Sequence, residues 1–214
     1  MGMRYGLPAS KRLRLLTGSG SVSVIAEERD DVEVEPSDRH SQLKDEVLEI
    51  HSKSGSVRVR CPVGTRISVG VISGSVRLEG TFGSVKVSAI SGSIHVESVT
   101  GDVDVRSVSG SLSVGRCGGA CTLNTKSGRI SVGHVEKAIH AATISGTVEL
   151  STAGQGDVEV RTISGGVTVR VSQGRRPRPK FRTLSGRIRC DCPEGDDFDI
   201  KATTLSGSIE ITGT

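Results

Sequence analysis

Five cysteines are the residues of this sequence with the most evident chemistry: Cys61, Cys117, Cys121, Cys190 and Cys192. The pairs Cys117-x-x-x-Cys121 and Cys190-x-Cys192 could together offer four thiolates to a zinc ion. The ligand spacing of zinc ribbons is absent, however, and the repeat described below places Cys117, Cys121 and Cys190 at inward positions. Small buried residues are the favoured interpretation, so we expect no metal and no cofactor. The odd number of cysteines also predicts no disulfide framework.

Histidines and carboxylates form no catalytic pattern. None of the five histidines lies in a metal-binding or nucleophile motif. Enzymes built on parallel β-helices cluster Asp with Lys or Arg on one face, whereas here only Glu79 and Glu97 stack on neighbouring repeats, with no third acidic neighbour. We therefore expect no catalytic residues and no enzyme activity. A polysaccharide-acting β-helix enzyme is the least favoured of the functions considered.

A basic segment near the C-terminus is the sharpest feature outside the repeat. Arg175, Arg176, Arg178 and Lys180 alternate with two prolines and are candidate partner-binding residues. They could contact phosphates, anionic lipid or an acidic protein face. The alternative, a solvated loop stiffened by proline, is favoured. Towards the other end, residues 27–49 hold ten acidic and three basic residues, so the two ends differ in sign.

The elements that must position these residues repeat every nine residues. Apolar residues recur at unit positions 1, 5 and 7, which we take to be inward, and positions 5 and 7 alternate with polar residues as in a short strand. Glycine at position 3 suits a sharp corner. The aligned glycines are Gly74, Gly83, Gly92, Gly101, Gly110, Gly119 and Gly128.

Two units make one coil. The units that begin at Ile72, Ile90 and Val108 keep the Ser-Gly sequence, whereas the intervening units are more degenerate, so one corner is stricter than the other. The predicted fold is an all-β, single-domain parallel β-solenoid, of the β-helix or β-roll kind, with about 18 residues and two strands per coil. Calcium β-rolls require a ladder of Asp in the turns, which is missing here.

The repeat also predicts the organisation of the chain. Residues 1–56 read as longer strands of an antiparallel β entry module that caps the first coil. Residues 57–214 read as the solenoid, with regular coils over 72–171 and longer coils with loops over 172–214, where Ser-Gly spacing stretches to 21. We expect these parts to form one structural domain.

Composition limits the partners and the location. Aromatic residues make up 2% of the chain, so sugars and bases lack a stacking surface, and we expect no small-molecule ligand. The net charge of +4 indicates no specific nucleic acid. No apolar stretch of transmembrane length occurs, and the first residues lack a signal-peptide pattern. These observations predict a cytoplasmic protein.

Three motifs carry a resemblance to a known family. They are V-x-V-x-C-P-x-G-T-x-I over residues 57–67, the Ser-Gly-x-Val-x-Val units, and GSVSVIAEERDDVEVEPSD over residues 20–38. Together they resemble the bacterial putative-adhesin β-strand-repeat domain family of unknown function. The resemblance covers nearly the whole chain and implies a solenoid fold. Its motifs are structural, so it implies almost no biochemistry.

The patterned residues all serve the coil, which favours a non-catalytic scaffold or protein-interaction module. A solenoid leaves a terminal edge strand, and we expect the C-terminal one to pair with a partner protein or with another subunit as an oligomer. The alternative is an adhesin-like or polymer-binding module at the cell envelope.

Overall fold

The structure is a computed structural model that describes residues 3–6, 12–36, 40–44, 47–152, 156–171, 178–192 and 200–213. Every regular element in these ranges is a β-strand, which confirms the all-β prediction. None of the described residues forms a helix able to cross a membrane. The strands are β1 (Met3–Gly6), β2 (Arg12–Ser19), β3 (Val22–Glu27), β4 (Asp31–Glu35), β5 (His40–Lys44), β6 (Val47–Ser54), β7 (Val57–Pro62), β8 (Arg66–Ser73), β9 (Val76–Phe82), β10 (Ser84–Ser91), β11 (Ile94–Val99), β12 (Val103–Ser109), β13 (Leu112–Cys117), β14 (Cys121–Val135), β15 (Ile139–Thr152), β16 (Asp157–Val171), β17 (Arg178–Cys192) and β18 (Lys201–Gly213).

The strands stack as a parallel solenoid. Val85 pairs with Val103, and Val103 pairs with Cys121, so each coil takes up two of the units recognised in the sequence. The coils then lengthen slightly from β15 to β16, where Ile139 pairs with Val158. They lengthen further from β16 onwards, where Val158 pairs with Pro179 and the offset from β17 to β18 is the same. The predicted length of about 18 residues per coil is confirmed for the regular coils.

Each coil has two faces that meet at two corners. The first face contains β2, β6, β8, β10, β12 and the first halves of β14 to β18, and the second face contains β3, β7, β9, β11, β13 and the second halves. The chain passes from the first to the second face at the Ser-Gly units, which we call the strict corner. It returns at the loose corner, near Gly83, Gly101 and Gly119.

A thin core of aliphatic and cysteine side chains runs between the faces as one cluster. Residues at unit positions 5 and 7, such as Val85 and Val87, are buried as predicted. The inward assignment of position 1 holds at the loose corner, where Cys117 is buried, but it is wrong at the strict corner, where Ile90 is exposed. Strand alternation explains the difference, since the residue just before Ile90, Ala89, takes the inward place.

The strict corner requires glycine for two reasons. Gly128 has a φ of 137°, in the region that favours glycine. A Cβ atom on Gly128 would also collide with the carbonyl oxygen of Gly110, which lies directly below it in the stack. The ladder of described glycines in which this collision recurs starts at Gly55 and continues through Gly20, Gly74, Gly92, Gly110, Gly128, Gly146, Gly165, Gly186 and Gly207.

The N-terminal end departs from the predicted boundary at residue 56. Antiparallel strands are present, since β1 pairs with β4, β4 with β7, and β5 with β6. Strands β2 and β3, however, already form a parallel coil that lies between the coil of β6 and β7 and the coil of β8 and β9. Alternating Val22 and Val24 are buried like those of later coils, which is why the solenoid starts before residue 57.

The Cys-Pro-x-Gly-Thr motif connects β7 to β8. It passes the coil of β2 and β3, which lies between them and which we call the inserted coil. Thr65 is fully buried, and its Oγ1 donates a hydrogen bond of 2.6 Å to the carbonyl oxygen of Pro62. The backbone N–H of Val63 donates to Glu27 at 3.1 Å, and that of Gly64 donates to Thr81 at 3.0 Å. These bonds tie the turn to the coils on both sides. In the related sequence at Cys192, residues 193–199 lie outside the described residues.

Candidate interaction surface

The cysteines occupy three separate places in the core. Cys117 and Cys190 lie on the second face with the strands of β14, β15 and β16 between them, a distance of about 19 Å at ~4.8 Å per strand. The four-thiolate site considered from the sequence requires both pairs in one place. Among the residues that the structure describes, no three His, Cys, Asp or Glu side chains are arranged to hold a metal.

Local contacts set the chemistry of these thiols. Burial raises the pKa of Cys61 to about 11. The hydrogen bond between Cys117 and Cys121 lowers the pKa of Cys117 and raises the pKa of Cys121, while burial raises that of Cys190. The Sγ atoms of Cys190 and Cys192 are 3.1 Å apart. All five cysteines are free and buried, which fits a role in packing.

The stacked carboxylates Glu79 and Glu97 do not form an acid–base pair. A register shift in β9 offsets them, and Glu97 Oε2 accepts a hydrogen bond of 2.6 Å from the backbone N–H of Gly80. Glu79 lies 3.9 Å from Arg77. Each carboxylate therefore has a structural partner of its own.

Glu159, Arg161 and His140 form a cluster of outward-facing side chains on the first face, and the cluster is held by ion pairing. Glu159 accepts a hydrogen bond from Arg161 at 2.6 Å and lies 3.1 Å from Nδ1 of His140. The hydrogen bond from Arg161 is the main cause that lowers the pKa of Glu159. The group is a surface ion pair with a histidine beside it.

The basic segment is placed only in part. Arg175 and Arg176 lie outside the described residues, whereas Arg178 and Lys180 are exposed on β17. Arg178 pairs in register with Asp157, and Lys180 lies between Glu159 and Lys201. Strand β17 begins at Arg178, and the role of the segment in binding stays a prediction.

The strict corner carries an exposed apolar line that the sequence interpretation missed. Two residues before each corner glycine, most coils place an aliphatic side chain that is 40–80% exposed. The signal was present in the sequence, because these residues follow a Ser or Thr that takes the inward place in later coils. The aliphatic residues of this line are Ile72, Ile90, Val108, Ile144, Ile163, Leu184 and Leu205.

Open grooves run beside this line on the first face. One, of about 1040 Å³, is bounded by Leu16, Ile72 and Ile90, with His40 and His51 at its end. A second, of about 550 Å³, is bounded by Ile144, Ile163 and basic residues that include Lys126. The floor of both contains the buried ladder of small residues before the line. The strict corner therefore combines an exposed apolar line with two grooves along it.

The last coil leaves its core positions uncovered. Ile209 and Ile211 pair in register with Ile188 and Cys190, which are both 0% exposed. Ile209 is 41% and Ile211 is 54% exposed, because no strand of the described chain lies beyond β18. This end is therefore an unpaired strand edge with an apolar face beside it.

This chain matches one known protein family in sequence and resembles solved structures in fold. The family described as Toastrack DUF4097 matches residues 7–152. Among curated proteins, none matches the sequence. A putative adhesin from Parabacteroides merdae has a similar structure, with a TM-score of 0.53 and 13% identity over 99% of this chain and 95% of that chain. A putative adhesin from Bacteroides fragilis has a TM-score of 0.36 and 17% identity over 100% and 96% of the two chains.

A putative cell adhesion protein from Clostridium sporogenes has a TM-score of 0.22 and 10% identity over the full length of both chains. At these identities the likeness shows the fold alone. The predicted cytoplasmic location is contradicted by the structure from Parabacteroides merdae, which is named as a putative adhesin, a class of protein typically located at the cell surface. The prediction rested on the missing leader pattern, and how a sequence begins does not decide where the protein works.

Proposed function

The chain belongs to the Toastrack DUF4097 family, and on that premise we propose that it is a non-catalytic protein-interaction module that self-associates through the edge of β18. The observation that carries the proposal is the exposure of Ile209 and Ile211 beside an unpaired strand. Unpaired edges of this kind are templates for pairing with another chain. Complete burial of one isoleucine side chain contributes about 1.5–3 kcal/mol.

The two ends of the solenoid differ, which determines the geometry of the proposed assembly. The N-terminal end is covered by the antiparallel strands β1, β4 and β5, of which β1 and β5 have four and five residues. Short edges resist pairing, whereas β18 has 13 residues. Two copies therefore meet edge to edge at β18 about a two-fold axis, which makes their strands antiparallel and closes the assembly as a dimer.

Charge attraction between opposite ends contributes little to this assembly. Arg29 contacts Glu27, Asp31 and Glu33 within the acidic segment, at 2.9, 2.8 and 3.4 Å. Arg60 of β7 lies 3.8 Å from Glu33 as well. The acidic N-terminal segment is thus partly neutralised by its own neighbours, and apolar burial at β18 is the stronger driving force.

Sedimentation of the purified chain over a range of concentrations tests the dimer. We expect a reversible dimer, and we expect the double variant Ile209→Lys with Ile211→Lys to be a monomer. The control is Glu210→Lys, which changes the charge of the same strand at an outward position. A wild-type chain that stays monomeric at high concentration would overturn the proposal.

An adhesin-like, polymer-binding module is the second candidate. It is supported by the groove that Leu16, Ile72 and Ile90 bound, and by the fold shared with a protein named as a putative adhesin. Retention of the monomeric β18 variant on immobilised cell-surface polysaccharide would favour this function, because that variant has lost only the proposed dimer contact.

The basic segment is a third proposed contact. Replacing Arg175, Arg176, Arg178 and Lys180 by Ser should abolish capture of a protein partner in a pull-down while leaving the dimer intact. Equal capture by this variant and by the unchanged chain would reduce the segment to a solvated loop.

A further inference from the structure

We infer that the strict corner is a docking surface for an anionic lipid membrane. Its apolar line consists of seven exposed aliphatic side chains at equivalent positions of the stack. Successive coils lie ~4.8 Å apart, so the corner extends for roughly 43 Å along the ten stacked glycines. Exposed aliphatic groups in such a row, which Lys126 interrupts between Val108 and Ile144, mark a binding surface rather than ordinary solvent-facing positions.

The charges around this line have one sign. The windows from four residues before to two residues after each strict-corner glycine are all described, and they contain seven basic residues and no Asp or Glu. An anionic partner is therefore complementary to this surface. The basic residues are Lys53, Arg106, Lys126, Arg129, Arg161, Arg182 and Arg187.

Some of these cations are engaged and others are available. Arg106, Arg129 and Arg161 form ion pairs with acidic residues outside the windows. Within the described part of the chain, no ion pair holds Lys126, Arg182 or Arg187. These three are exposed. Lys126 takes the row position between Val108 and Ile144, and Arg182 and Arg187 lie on either side of Leu184 in the sequence.

The combination of aliphatic and cationic groups favours lipid over a soluble anionic polymer. A bilayer interface buries aliphatic side chains at the boundary of headgroups and acyl chains, and its anionic headgroups attract nearby Lys and Arg. Sugars and nucleic acid bases bind exposed side chains chiefly through aromatic stacking, and the row offers no aromatic residue.

The loose corner provides an internal contrast. It exposes basic residues as well, including Arg66, Arg116 and Lys137, but acidic Asp102 and Glu136 lie among them. Among the described residues of this corner, Val63 is the large aliphatic side chain that is exposed. The matched set of cations there serves as a control with the same change in charge.

Cosedimentation of the full chain with phospholipid vesicles tests the inference. We expect binding to vesicles of phosphatidylcholine mixed with phosphatidylglycerol, weak binding to phosphatidylcholine alone, and loss of binding as salt rises. The variant Lys126→Gln, Arg182→Gln, Arg187→Gln should lower the partition coefficient roughly a hundredfold, at about fivefold per cation. The control Arg66→Gln, Arg116→Gln, Lys137→Gln should change it less than tenfold.

The apolar row is tested separately with Ile144→Ser, Ile163→Ser and Leu184→Ser, which should lower partitioning at least tenfold. Each variant is checked for unchanged strand content by circular dichroism and for its sedimentation state, because dimerisation at β18 is a separate property. Equal losses for the strict-corner and loose-corner charge variants would overturn the inference. Binding to soluble heparin without binding to vesicles would overturn it too, and would assign the surface to an anionic polymer.

Discussion

Thr125 and Thr143 are direct partners in the register of the first face, and both are buried, yet only the hydroxyl group of Thr125 makes a hydrogen bond among the described residues. Thr125 Oγ1 donates to the carbonyl oxygen of Ser127 at 3.2 Å. Thr143 Oγ1 has no hydrogen-bond partner among the described residues, and the same holds for Thr162, Thr183 and Thr204. In the ladder of small polar residues beneath the aliphatic row, the hydroxyl group is thus hydrogen-bonded at Thr125 and lacks a partner from Thr143 onwards.

This difference predicts opposite effects of one substitution. Thr143→Val should raise the free energy of unfolding by about 1 kcal/mol, because it removes a buried hydroxyl without a partner. Thr125→Val should lower it by about 1 kcal/mol, since it removes a hydrogen bond that is made. Urea unfolding of both variants checks the sign of each change. Equal effects at the two positions would contradict the assignment of their hydrogen bonds.

The strict corner should tolerate no side chain. Gly128→Ala should destabilise the fold by about 3 kcal/mol or more, because the new Cβ would meet the carbonyl oxygen of Gly110 and the backbone angle is strained for alanine. Gly166→Ala is the matched control, since the nearest atom to its Cβ would be 3.9 Å away. Thermal unfolding should show a large loss for the first variant and little change for the second.

Burial of Cys61 makes stability depend on alkaline pH. The pKa of Cys61 is about 11 in the fold against an ordinary value of 9.0, so the unfolded chain loses this proton first as pH rises. The contribution to stability is complete below pH 9 and is lost between pH 9 and 11, by about 2–3 kcal/mol in all. Unfolding of Cys61→Ala should show a shallower pH dependence over this interval, and an unchanged slope would contradict the assignment.

Arg29 should be needed to hold the acidic N-terminal segment together. Its guanidinium contacts three carboxylates, and the hydrogen bond from Arg29 lowers the pKa of Asp31. Arg29→Gln should therefore raise the pKa of Asp31 and speed amide exchange in β4, as measured by nuclear magnetic resonance. Arg58→Gln is the control, because Arg58 contacts only Glu35 among the described residues, at 3.9 Å. Equal exchange in both variants would show that Arg29 is dispensable.

Much of the coil follows from local rules that a sequence displays directly. Alternation of Val85 and Val87 with polar residues sets the strands, and the spacing of Ser-Gly units sets the offset between coils. The exposure of Ile90 could not be read this way, because an aliphatic residue beside a corner fits either side of the backbone until the turn geometry is known. The decisive fact is that Ala89 takes the inward place.

The order of coils at the N-terminal end was also beyond local rules. Strands β2 and β6 carry the same pattern, so either could have neighboured β8. The choice depends on the turn at Thr65, whose backbone bonds reach Glu27 on one side and Thr81 on the other through Val63 and Gly64. Such long-range bonds leave no periodic trace in the chain.

The inserted coil has a consequence for synthesis on the ribosome. Arg12 pairs with Val47 and with Arg66, and both of these partners are translated well after it. The first coil to emerge therefore waits for both of its neighbours, and neither of its edges can be satisfied by residues already made. Once all three coils have closed, the coil of β2 and β3 lies inside the stack, where it cannot fray from an end as the outermost repeat of a solenoid does.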